Sequence, residues 1–142
     1  MTAIKNIIVF ESLPDFSDKL KTSNVPMIYI SNLMTQPDET AGMNIVQHLD
    51  WVSAAIGKTP DFIIVNNGTI PDDIVERYEG QGANPLYIDD EQRKIIREMG
   101  CECVEADIMS VFDSEKEKRV LRHDSQKLAS VIFKIVRRIK ED

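Results

Sequence analysis

The chain has 142 residues, and its 17 Lys and Arg against 24 Asp and Glu leave a formal charge of −7. That length suits one domain able to bury a core without disulfide staples, and 42% hydrophobic residues exclude a disordered chain. The acidic balance excludes a domain built to grip duplex nucleic acid, which needs clustered cations against phosphate.

Ile7-Ile8-Val9-Phe10 and Met27-Ile28-Tyr29-Ile30 are short runs rich in β-branched and aromatic residues, and they predict the first two strands. Between them, Pro14 to Thr22 predicts a short helix with Phe16 and Leu20 at i, i+4. From Met43 to Ile56, the set Ile45, Leu49, Val52 and Ile56 follows helical spacing and Gly57 supplies the stop. Phe62-Ile63-Ile64-Val65 predicts a third strand. Pro71 to Tyr78 predicts a helix, with Asp72 and Asp73 at the positive end of its dipole.

Leu86-Tyr87-Ile88 reads as a fourth strand, Asp90 to Met99 as a helix, and Cys101 to Val104 as a fifth strand. Cys101 and Cys103 have no zinc-ligand pattern beside them and are expected to stay reduced, pointing to opposite faces of that strand. The last helix, Asp124 to about Lys140, carries Leu128, Val131, Ile132, Ile135, Val136 and Ile139 on one stripe. Lys134, Arg137, Arg138 and Lys140 lie largely off it, as a solvated face. Strands alternating with helices predict an α/β fold, one domain over residues 1–142, with a parallel sheet covered on both faces. No apolar run approaches the ~18 residues of a membrane span and no basic-then-apolar leader follows Met1, so a cytoplasmic protein is expected.

In parallel sheets ligands bind beyond the carboxyl ends of the strands. The loop Ser31 to Gly42 sits there and is long for its type. Asn32, Thr35, Gln36 and Thr40 offer amides and hydroxyls beside a helix N-terminus, a cradle for phosphate. Equally, Thr40 or Asn44 caps the helix and Pro37-Asp38 makes a turn. Asn66 could pair with a base or sugar edge, or serve the turn at Asn67-Gly68. Arg122 could hold phosphate bidentately and His123 could act as base or phosphate ligand, or the Arg could pair locally with a capping Asp124. His48, on the border of an apolar stripe, has no second ligand at metal spacing and is expected to be a satisfied, largely buried histidine. Neither a Ser-centred elbow nor a Gly-rich lysine loop is present, so no metal, cofactor or catalytic residue is expected.

The stretch Asn32-Leu33-Met34-Thr35-Gln36-Pro37-Asp38-Glu39-Thr40-Ala41-Gly42 resembles the gluconeogenesis factor family, relatives of 2-phospho-L-lactate transferase. The likeness continues through Ile64-Val65-Asn66, Ile70-Pro71, Glu76-Arg77-Tyr78, Cys103 to Asp107, Arg122-His123-Asp124 and Lys127-Leu128-Ala129. The family usually has glycine where this chain has Asp38, is roughly twice as long, and carries a Gly-rich nucleotide-binding segment with no counterpart here. The resemblance thus implies the C-terminal part of a three-layer Rossmann-like fold. It implies a UDP-sugar or related nucleotide as ligand, with Asn32, Thr35 and Gln36 lining the site and Tyr78 and Arg122 contacting the nucleotide sugar. A regulatory role in carbon metabolism and cell-wall or cell-shape control is implied. The alternatives are a transferase moving a phospholactyl group onto a deazaflavin, or a partial domain with an incomplete site that forms a homodimer through a surface meant for the missing half.

Overall fold

Four short strands pair side by side in chain order, all parallel: β1 (Ile8–Phe10), β2 (Met27–Ile30), β3 (Phe62–Asn66) and β4 (Glu102–Ala106). Met27 lies opposite Ile8, Phe62 opposite Ile28 and Glu102 opposite Phe62. The computed structural model describes residues 7–11, 24–35, 43–112 and 120–141. The predicted helix Pro14 to Thr22 lies outside the described residues.

Strand pleating splits the apolar residues between two faces. Met27, Tyr29, Ile63 and Val65 join a core with Ile45, Leu49, Val52 and Ile56 of helix α1 (Ile45–Ile56) and Ile96 of α3 (Asp90–Glu98). Ile28, Ile30 and Ile64 join a second core with Ile74 of α2 (Asp72–Glu79) and Leu128, Val131 and Ile135 of α4 (Ser125–Glu141). The result is the expected three-layer, Rossmann-like α/β arrangement. All four residues of β2 are buried because both faces are covered. Burial also pushes the Tyr29 phenol up to about 12.

Local chemistry sets the helix ends. Asn44 caps α1 through a reciprocal box, Gln47 N donating to Asn44 Oδ1 and Asn44 N to Gln47 Oε1, each at 2.8 Å. Gly57 ends the helix at φ 89°, a left-handed conformation that favours glycine. Asp89 starts α3 by accepting from Gln92 N at 2.8 Å, which holds its carboxyl below the usual range.

Three expectations are corrected. Leu86 to Ile88 forms no sheet strand: the place beside β3 is taken by β4, registered over five residue pairs. Pro85, lacking an N–H, makes only an isolated bridge to Met34. Cys101 and Cys103 share one face, since residues two apart in an extended chain point the same way, and both pack on the α1 side. Their thiols are free, and burial pushes Cys101 up to about 12 and Cys103 up to about 11. Finally, a hairpin of β5 (Met109–Phe112) and β6 (Val120–His123) follows β4, so Arg122 and His123 stand in a strand rather than a turn.

The outer edge of β4 is guarded by charge. Arg93 on α3 makes a forked contact with Glu105 through Nε and Nη2, each at 2.8 Å, and Arg138 on α4 holds Glu102 from the opposite face.

Ile63 and Ile64 are adjacent, fully buried and on opposite faces of β3. Ile63→Ala and Ile64→Ala should each lower unfolding free energy by about 2–5 kcal/mol in denaturant titrations. Near-wild-type stability in either variant would contradict a sheet covered on both sides.

Candidate functional site

The carboxyl ends of the four parallel strands define one edge, and the polar residues predicted from sequence are met there in turn. After β2, Ser31 N still pairs with Ile64 O at 2.9 Å, which keeps the exit of the strand on the sheet. Asn32 then stands half-buried, and Leu33, Met34 and Thr35 are buried. Their partner is the segment predicted as a strand: Leu86 N donates to Leu33 O at 3.0 Å and Thr35 N to Asn84 O at 2.8 Å. The Thr35 hydroxyl accepts from Asn84 N at 2.9 Å. Thr35 therefore locks the first part of the long loop onto the chain leaving α2. Gln36 and Thr40 lie outside the described residues; Asn44, one of the two candidate caps, does cap α1.

Tyr78 is joined to this lock through the backbone. Its carbonyl accepts from Gln81 N and Ala83 N, each at 2.9 Å, and Asn84 follows directly. Its half-buried ring packs on the α4-side core, with the Arg77 guanidinium 5.3 Å from the ring centre.

At the end of β3, Asn66 is buried and both ends of its amide are engaged. Oδ1 accepts from Gly68 N at 3.0 Å and from Ile108 N at 3.3 Å, while Nδ2 donates to Gly68 O at 3.2 Å. Asn66 in this geometry ties β3 to the turn between β4 and β5. Gly68 gives room there, since a Cβ at that position would lie 2.6 Å from Asp107 Oδ1 and would have to displace that carboxylate. Asp107 is held there by accepting from Met109 N at 3.2 Å and from Lys127 Nζ at 3.1 Å.

The hairpin brings Arg122 and His123 to the same edge but sends them to opposite faces, as successive residues of a strand must go. His123 turns inward. Its Nδ1 lies 3.0 Å from Glu11 Oε2, just past β1, and its Nε2 lies 3.1 Å from Ser31 O, just past β2. The Arg122 side chain is exposed and makes no ion pair or hydrogen bond among the described residues. Across the hairpin, Ser110 stands opposite Arg122 with its hydroxyl buried. Asp124 caps α4 by accepting from Lys127 N and Gln126 N, each at 3.0 Å, and these bonds hold its carboxyl below the usual range. The local Arg122–Asp124 pair weighed from sequence is not formed.

Glu11 was missed from sequence because a single acid after a short strand carries no pattern; only the fold brings it to His123. His48 departs from expectation in one respect. It is buried on α1, but neither ring nitrogen makes a well-formed hydrogen bond among the described residues, and burial pulls its pKa down, partly offset by the nearby Asn44 backbone. Among the described residues no three His, Cys, Asp or Glu side chains gather as a metal site, and no helix is long and apolar enough to cross a membrane.

The sequence profile of the family described as 2-phospho-L-lactate transferase CofD matches residues 4–109. A putative gluconeogenesis factor of Thermotoga maritima is 34% identical over 122 residues, spanning 84% of this chain and 37% of that protein. The gluconeogenesis factor of Bacillus subtilis is 30% identical over 126 residues, 88% of this chain and 37% of the relative. The crystal structure of a UPF0052-family protein of Bacillus halodurans superposes with a TM-score of 0.72 at 25% identity, covering 89% of this chain and 42% of that one. The chain thus spans well under half the length of these relatives.

Thr35→Val keeps the shape of the side chain but leaves Asn84 N–H without its acceptor. It should cost about 1–3 kcal/mol of stability in denaturant titrations. An unchanged midpoint would show that the Thr35–Asn84 bond does not hold the loop.

Proposed function

The chain belongs to the 2-phospho-L-lactate transferase CofD family, and from that premise we propose that it binds a nucleotide sugar of the UDP-sugar class as a regulatory protein. The observation that carries the reading is the gathering of Asn32, Thr35, Asn66 and the Arg122–His123 strand at one sheet edge, where α/β folds take their ligands. Arg122, exposed and uncommitted among the described residues, presents a fork suited to a diphosphate. Tyr78, joined to the loop lock through Ala83 and Asn84, offers an aromatic face to a sugar or base. Gln36 and Thr40 complete the proposed lining.

Binding without catalysis is supported by how the polar groups are used. Both ring nitrogens of His123 are engaged by Glu11 and Ser31, so neither stands free as a general base in this geometry. Asn66, committed to Gly68 and Ile108, would act on ligand only through the shape of the turn it holds. On this reading the protein is cytoplasmic and serves carbon metabolism and cell-wall or cell-shape control. The relatives named as gluconeogenesis factors support it. The description of the matching family favours a second reading, a transferase acting on a deazaflavin.

Thermal-shift titrations with UDP-sugars, GDP and a deazaflavin separate the two. A UDP-sugar should raise Tm, and Arg122→Ala should weaken apparent affinity by roughly tenfold or more. A shift with the deazaflavin alone would overturn the regulatory reading, and no shift with any ligand would contradict a working site in this chain by itself.

A further inference from the structure

The outer face of α4 combines two features. Phe133 is 70% exposed, more than any other large apolar side chain among the described residues. Around it, Ala129, Ser130, Lys134 and Arg137 line a shallow cavity of about 380 Å3. No acidic residue occurs between Asp124 and Glu141, and Lys134, Arg137 and Lys140 make no ion pair among the described residues. Arg138, by contrast, is held against β4 by Glu102. In a chain of net charge −7, cations left unpaired around an exposed phenylalanine are an uneven use of charge.

We propose that this face docks an acidic polypeptide segment carrying an apolar side chain. Carboxylates would meet Lys134, Arg137 and Lys140, and the apolar side chain would enter the depression between Phe133 and the small residues Ala129 and Ser130. Charge complementarity selects this occupant. A second copy would bring the same cations together across a twofold axis. A membrane surface needs a broad apolar stripe, and here the stripe of Leu128, Val131 and Ile135 is already spent on the core. Duplex nucleic acid is disfavoured by the charge of the whole chain.

The test is fluorescence anisotropy with a short labelled peptide of glutamates flanking one leucine, titrated with the full chain. The peptide should bind, and Arg137→Glu and Phe133→Ala should each weaken it roughly tenfold while the circular-dichroism melt stays put. Lys94→Glu, an equal charge change at an exposed position on α3, should leave affinity nearly unchanged. No peptide binding, or equal weakening by Lys94→Glu and Arg137→Glu, overturns the proposal. Sedimentation to anionic phosphatidylglycerol vesicles without peptide binding, or dimerisation abolished by Phe133→Ala in analytical ultracentrifugation, overturns it in favour of a membrane or a second copy.

Discussion

One imidazole holds the site end of the fold together. His123 spans Glu11 beyond β1 and Ser31 beyond β2, and thereby fixes β6 across the ends of two parallel strands that share no hairpin with it. A two-stranded hairpin is marginal on its own and needs packing against a larger body. Here Met109 joins the α4-side core, Asp124 N bonds Ile108 O at 2.8 Å, and His123 supplies the link to the sheet edge. Because neighbouring strand residues face opposite ways, the inward turn of His123 is also what presents Arg122 outward.

Asn66, Asp107 and Thr35 work in the same manner, each joining one strand end or turn to the next. Asn66 joins β3 to the β4–β5 turn, Asp107 joins that turn to Lys127, and Thr35 joins the loop after β2 to the segment after α2. The consequence is a rim at which several polar side chains are committed to one another, the feature on which the proposed binding reading rests. At the far side of the sheet, the Arg93–Glu105 and Arg138–Glu102 pairs close the β4 edge against further strand pairing.

Much of this was legible in the residues. Alternation of apolar runs with helical spacing located β1 to β4 and the four described helices, because short β-branched runs and amphipathic helical spacing leave local signals. Leu86-Tyr87-Ile88 has strand propensity but pairs with no sheet strand, and Pro85, which lacks an N–H, marks the break just before it. The hairpin was hidden because its strands flank the charged stretch Asp113 to Arg119, although Met109-Ser110-Val111 alternates as a half-buried strand does. At the site, residue types and loop length marked Asn32, Thr35, Asn66, Arg122 and His123. Their partners could not be read, since Glu11–His123 and Asn66–Ile108 are contacts between residues distant in the chain. The spacing of Cys101 and Cys103 did contain its answer, for a period of two puts them on one face.

The His123 contact is the link between the hairpin and the sheet edge on which the rest depends. Hydrogen–deuterium exchange on His123→Ala tests it: amides of β5 and β6 should exchange faster than in the wild-type protein, while those of β3 and α1 stay protected. Unchanged protection of the hairpin, with His123 gone, would contradict the claim that this side chain ties it to the sheet.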